Sequence, residues 1–242
     1  MNEKSKILKE SVMLSSEPVG VKFYKQIPSI SIDYAEDHRF CQLIMRARKG
    51  ESLMLTPEHI TCPAAAAALG FKPLPEKLKD GSMLQGYGIF EKQESAMKVM
   101  EEMPRFEQGK YKAVVAKPLS DWEELPDVII IEDEVEKLMW LALAYLNDKG
   151  GRLNFSTSIL QAMCVDSTVI PFVTNDINMS FGCYGCRDAT DAKSGEAILG
   201  FPGNKLDMVI ENLKYLKSKA IDRSRAKQVH QAFSKRIEGK KL

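Results

Sequence analysis

Hydrophobic positions along this chain switch repeatedly between the two-residue alternation of strands and the three-to-four-residue spacing of helices. Val19, Val21 and Phe23 alternate within PVGVKFYK and predict a strand over 18–25, preceded by a short charged helix in MNEKSKILKESVML. Cys41, Ile44, Met45 and Arg48 fall at helical spacing, which predicts a helix over 38–49 ended by Gly50. A short strand is expected at 52–55. Thr61-Cys62-Pro63 then opens a helix carrying the alanine run 64–68 and stopping at Gly70, since Thr caps and Pro is tolerated in a first turn. The Pro- and Lys-rich stretch 71–81 reads as a loop, 86–90 as a strand, 92–103 as a helix and 112–117 as a strand.

Pro126 marks a seam, after which a similar order restarts. The run 128–132 predicts a buried strand and 134–147 a strongly apolar helix. A strand at 152–155, a capped helix at 156–165, a strand at 177–181 leading into Cys183, a strand at 197–201 and a helix at 203–217 follow. Each half thus runs strand, helix, strand, cysteine-bearing helix, strand, helix, and Leu69-Gly70-Phe71 is echoed by Leu199-Gly200-Phe201. The expected architecture is α/β or α+β: a mixed sheet flanked by helices, with two similar halves, 1–120 and 121–242, in one compact unit. The final stretch, 221–242, reads as a solvated charged helix.

At 242 residues with 44% apolar content, the chain can build an ordinary core. Lys and Arg total 34 against 33 acidic residues, and a net charge of +1 gives no global field for nucleic acid or an anionic membrane. The N-terminus lacks the apolar core and cleavage site of a signal peptide, and no run approaches the roughly 18 apolar residues of a membrane span. The cytoplasm is therefore the expected compartment. There, five cysteines point to metal binding or catalysis rather than bridges, and an odd number argues against complete pairing.

Cys183-Tyr184-Gly185-Cys186 has the closest spacing, and Gly182 and Gly185 allow a turn in which both sulfurs face one ion. Dithiol redox pairs share that spacing but open a helix after a strand, whereas 187–190 reads as further turn. Cys62 is expected in a first helical turn, where free amides favour a thiolate ligand or nucleophile. Cys41 and Cys164 each sit in an apolar helical stripe and, taken alone, read as core. His59 lies near enough to Cys62 to be a candidate cofactor-binding residue, while His38 and His230 are scattered. Arg39 and Arg187 adjoin cysteine-bearing segments and are candidates to hydrogen-bond a cluster or bind an anion. No dinucleotide glycine pattern, phosphate loop, nucleophile elbow or paired-His zinc helix is present.

A set of short pieces spans most of the chain: Pro18-Val19-Gly20-Val21, Cys41 ahead of Ala47 and Gly50, Cys62 ahead of Ala68-Leu69-Gly70, Cys164 ahead of Pro171, Gly182-Cys183 with Arg187, and Gly200-Phe201-Pro202-Gly203. In these it resembles the uncharacterised archaeal cysteine-rich proteins of domain-of-unknown-function family 169. The resemblance implies that Cys41, Cys62, Cys164 and Cys183 hold recurring cysteine positions and that Cys186 is an additional one. The expectation is a cytoplasmic cysteine-ligated metal protein holding an iron-sulfur cluster of the 4Fe-4S type, for electron transfer, redox sensing or redox chemistry. Zinc is the alternative metal, less suited because structural zinc sites usually use two close pairs and only one occurs here. Two other readings stand beside it: a small-ligand binding or regulatory module with structural cysteines, and a metal-free dithiol oxidoreductase cycling Cys183 and Cys186. The expected partner is a redox protein or a small molecule, with no nucleic acid and no membrane. Whether the chain is an enzyme or a carrier, and whether it is an oligomer, stays open.

Overall fold

Seven strands, β1 (Val19–Tyr24), β2 (Asp33–Tyr34), β3 (Leu53–Leu55), β4 (Ala113–Pro118), β5 (Val128–Glu134), β6 (Asn178–Ser180) and β7 (Glu196–Pro202), join in one sheet in the computed structural model, which describes residues 1–238. The order is β2-β3-β4-β1-β5-β7-β6. Among the described strands the two-residue β2 pairs in parallel, on β3, and the others pair antiparallel; an isolated parallel bridge joins His38 to Ile60. From the central β1–β5 pair, β1, β4 and β3 run outward on one side and β5, β7 and β6 on the other. Leaving aside the two-residue β2, which lies outside β3, the first strand of each run is innermost and the second outermost, so the two runs share one connectivity.

The helices are α1 (Asn2–Val12), α2 (Phe40–Ala47), α3 (Pro63–Ala68), α4 (Glu76–Lys79), α5 (Ser82–Gly86), α6 (Gln93–Glu101), α7 (Val135–Lys149), α8 (Ile170–Thr174), α9 (Tyr184–Ala189), α10 (Leu206–Leu216), α11 (Asp222–Arg225) and α12 (Gln228–Glu238). A π-helix, Ala162–Val169, runs directly into α8. The fold is α/β with a mixed sheet, as the alternating periods predict.

Alternation along the central strands decides what each face receives. Val128 and Ile130 of β5 and Ile198 of β7 point into a core shared with α2, α3 and the π-helix. Ile129, Ile131, Leu199 and Phe201 point the other way, into a core built with α1, α7 and α10. All the cysteines lie on the first of these faces. Among the described residues no helix is long and apolar enough to cross a membrane.

Several expected elements are replaced. The strand expected at 86–90 is a turn after α5, because the 71–81 stretch and its continuation fold into the short helices α4 and α5, and Ile89 and Phe90 pack onto the core instead of a neighbour strand. The strand expected at 152–155 is irregular. Its continuation is held by a side chain instead of a ladder: Asn178 accepts from the Ser156 amide at 2.8 Å and donates to the Ser156 carbonyl at 2.8 Å. The helix expected at 156–165 begins only at Ala162, since Ile159 (φ 59°) and Gln161 (φ 54°) take left-handed backbone geometry. Of the expected terminal helix, 221–238 forms α11 and α12, and 239–242 lie outside the described residues.

One buried ion pair ties α2 to the sheet. Arg48, just past α2, lies 3.3 Å from Glu132 of β5 through Nε and 2.5 Å from Asp191 through Nη2. Burial pushes the Glu132 carboxyl up, and Arg48 pulls it down only in part. Arg48→Met should therefore cost about 3 kcal/mol, because it leaves a buried carboxylate without its countercharge. Adding Glu132→Gln should recover most of the loss in urea denaturation; a double variant as unstable as the single would show that packing, and not charge, is responsible.

Candidate functional site

All five cysteines line one cavity of about 470 Å³, together with Arg39, Gln161, Tyr184 and an apolar wall from the α4–α5 segment that includes Leu78, Met83 and Leu84. Each cysteine is at or near the start of a helix. Cys41 is the second residue of α2, Cys62 the N-cap of α3, Cys164 the third residue of the π-helix, Cys183 the N-cap of α9 and Cys186 its third residue. Four helix starts thus open toward one space and bring unpaired amides with them.

The connectivity of the sheet explains the convergence. Between β1 and β3 lie β2 and α2, with Cys41 in the first turn of α2; between β5 and β6 lie α7, the π-helix and α8, with Cys164 in the first turn of the π-helix. After β3 comes α3, with Cys62 at the N-cap position; after β6 comes α9, with Cys183 at the N-cap position and its sulfur accepting from the Cys186 amide. Cys41 and Cys164 are therefore counterparts, as are Cys62 and Cys183. Cys186 stands three residues after its N-cap, where α3 has Ala65 three residues after Cys62, so it has no cysteine counterpart.

Backbone geometry aims hydrogen-bond donors at sulfur. The Cys186 amide donates to Cys183 Sγ at 3.3 Å, and the amides of Ala162 and Met163, opening the π-helix, lie near Cys183 and Cys186 and act to lower their pKa values. Cys183 Sγ donates to Cys186 Sγ at 3.1 Å. The hydrogen bond with Cys186, and then burial, pushes the Cys183 thiol well above the ordinary range. Burial pushes Cys164 up as well, reinforced by Cys62, Cys186 and Cys183. For Cys186 the bond with Cys183 lowers the value, but the hydrogen bond with Cys41 and burial outweigh it, and it is pushed up to about 12. These thiols keep their protons at neutral pH, and a cationic centre would reverse that.

Arg39 and Gln42 lock two of the helix starts together. Arg39 Nη1 donates to the Gly185 carbonyl at 3.2 Å, and Gln42 Nε2 donates to the Ala189 carbonyl at 3.2 Å, so α2 is tied to α9. Arg187 has a different place from the one its neighbourhood implied. Outside the cavity lining, its guanidinium donates to the carbonyls of Phe181, Lys193 and Glu196 and lies against Gly182, whose φ of 88° makes the bend from β6 into α9. His59 is also outside the lining; its Nδ1 lies 2.8 Å from Thr56 Oγ1 and its ring packs on Tyr34. His38 bonds the Glu36 carbonyl. The Cys183–Cys186 segment opens a helix after a strand, where the sequence predicted a turn, because Gly182 makes the turn before Cys183 instead of after it.

Among the described residues no group of three or more His, Cys, Asp or Glu side chains is gathered closely enough to hold a metal ion. The five cysteines share the lining of one cavity, and Cys183 and Cys186 are in sulfur–sulfur contact. The wall that α4 and α5 add was not legible, since Pro73, Pro75, Gly81 and scattered lysines hide two one-turn helices.

Behind Cys164, Asp166 is buried and accepts from Thr157 Oγ1 at 2.5 Å. Burial raises its pKa to about 6, against the lowering effect of Thr157 and Ser180. The folded chain holds this proton more tightly than the unfolded one, so the associated stability is present at low pH and lost as pH rises from about 4 through about 6. The shift corresponds to about 3 kcal/mol. Asp166→Asn should remove that dependence: wild-type minus variant stability, from urea midpoints, should fall between pH 4.5 and 7.5, and a flat difference would show that Asp166 ionises as in the unfolded chain.

The family model described as uncharacterised ArCR, domain-of-unknown-function family 169, matches residues 7–212. An uncharacterised protein of Methanocaldococcus jannaschii is 31% identical over 222 residues, covering 90% of this chain and 95% of the relative. No solved structure matches. The chain belongs to the uncharacterised archaeal cysteine-rich family, domain-of-unknown-function family 169.

Proposed function

We propose that this is a cytoplasmic iron-sulfur protein whose cavity holds a 4Fe-4S cluster on Cys41, Cys62, Cys164 and Cys183, with Cys186 as an adjacent thiol. The observation that carries the reading is the meeting of all five thiols, from four helix starts, in one apolar cavity. The donor set fits the group. Thiolates are the usual cluster ligands, and backbone amides directed at sulfur are a recognised lever on cluster potential. Zinc fits less well, because structural zinc sites usually draw on two close pairs of ligands in sequence and this chain has one, Cys183 and Cys186. When bound, such a cluster supplies one-electron transfer. The chain's own contribution is to exclude water with Leu78, Met83 and Leu84 and to direct the amides of Ala162, Met163 and Cys186 at the sulfurs.

Anaerobic isolation should give a brown protein with broad visible absorption that bleaches on reduction with dithionite. A colourless protein of intact fold would rule the reading out.

One observation favours a second reading. Cys183 and Cys186 open a helix after a strand with their sulfurs 3.1 Å apart, which is the placement of a dithiol redox pair. Against it, both thiols are pushed upward, which disfavours the thiolate that attacks a disulfide. Mass mapping after mild oxidation would find this pair linked under the second reading.

A further inference from the structure

Helix α12 is solvated nearly all round. From Gln228 to Ile237 only the side chain of Ser234 is not exposed, and Val229, Phe233 and Ile237 are 66%, 58% and 61% exposed. These three recur at every fourth position and form one apolar stripe along 11 residues. A helix that short is marginal in water on its own, so its stability has to come from whatever covers the stripe. The body of the fold carries a matching stripe. On α7, Val135, Met139 and Leu143 stand exposed at the same spacing, while Leu138, Trp140, Leu141, Ala144 and Tyr145 are buried on its inner side.

We propose that α12 of one copy docks antiparallel along α7 of a second copy, and reciprocally, giving a closed two-fold dimer. This surface is independent of the cysteine cavity. Antiparallel alignment sets Ile237 against Val135, Phe233 against Met139 and Val229 against Leu143. It also brings Lys235 and Arg236 of the last turn of α12 beside Glu134 and Glu136, the exposed acids at the start of α7. Lys137 does not oppose this, being engaged by Asp133 and Glu134. The carbonyl end of α12 meets the amide end of α7, so the helix dipoles add to the attraction. Because the contact is made twice, it covers roughly 1,200 Å², the lower end of stable interfaces. Reciprocal exchange leaves neither stripe open and generates no chain of further copies.

The test is light scattering on the full chain from about 1 to 100 μM. The wild type is expected to be a dimer. Phe233→Lys and Met139→Glu, both at exposed positions, should each raise the dimer dissociation constant at least about 100-fold with unchanged circular dichroism. An equal mixture of the two variants should dimerise again, since one dock is intact and the other pairs the introduced lysine with the introduced glutamate. A monomeric wild type over the whole range, or a dimer that survives both substitutions, overturns the proposal. A mixture that stays monomeric also does, by placing α12 on its own chain's α7. So does a monomeric wild type that binds vesicles of phosphatidylcholine and phosphatidylserine through Phe233, which reassigns the stripe to a membrane surface.

Discussion

Gly200→Ala is expected to destabilise the protein by about 4 kcal/mol and, if the cavity holds the proposed cluster, to lower bound iron at the same time. A Cβ on Gly200 would lie 2.0 Å from the Ser167 carbonyl oxygen and 2.7 Å from its carbon. Both sides of that contact are backbone. Gly200 sits in β7, which is paired on one edge to β5 and on the other to β6, and Ser167 belongs to the π-helix. A flexible side chain could turn away at a cost of 1–3 kcal/mol, roughly the usual range for overpacking. Here the π-helix itself has to lift from the sheet, which places the substitution among the severe cases. Lifting it withdraws Cys164 and takes the amides of Ala162 and Met163 away from Cys183 and Cys186. Gly86→Ala is the control, since a Cβ there meets nothing within 4 Å. Urea denaturation of both variants checks the stability; a Gly200→Ala protein within about 1 kcal/mol of wild type would mean that the π-helix is not seated on β7.

The second large effect separates the cysteines. Serine at Cys41, Cys62, Cys164 or Cys183 should lower bound iron by more than about tenfold, since even outer-shell partners of metal sites cost that much. Serine at Cys186 should leave most of it. The distinction rests on placement: the first four occupy corresponding positions on the two strand runs, while Cys186 stands where α3 has Ala65. Cys186 is also the sulfur that accepts from Cys183, a role that a serine hydroxyl can keep. Equal loss of iron in all five variants would mean that the fifth thiol is a ligand too.

Much of the architecture was written in periodicity. The runs at 128–131 and 197–201 carry no charged or polar side chain because β5 and β7 are buried on both faces. Cys62 stands one position earlier than the sequence predicts, because the helix starts at Pro63 and Cys62, not Thr61, takes the N-cap position. The π-helix was not legible, because its beginning is set by left-handed backbone at Ile159 and Gln161, residues that carry no local preference for it. The turn expected at 187–190 failed for a related reason, since Gly182 bends the chain one residue before Cys183. The cavity itself was half legible. Five cysteines invited a metal, but only the sheet order puts α2, α3, the π-helix and α9 on one face with their starts together. Arg187 shows the limit of adjacency: one residue from Cys186 in sequence, it spends its donors on three carbonyls outside the cavity.

The central claim is tested most directly by counting iron and acid-labile sulfide per chain in protein purified without oxygen, for the wild type and for Cys164→Ser. The expected result is about four of each in the wild type and a near-complete loss in the variant, with the fold retained in both. A folded wild-type protein that contains neither iron nor sulfide, or a Cys164→Ser protein that keeps both, would contradict it.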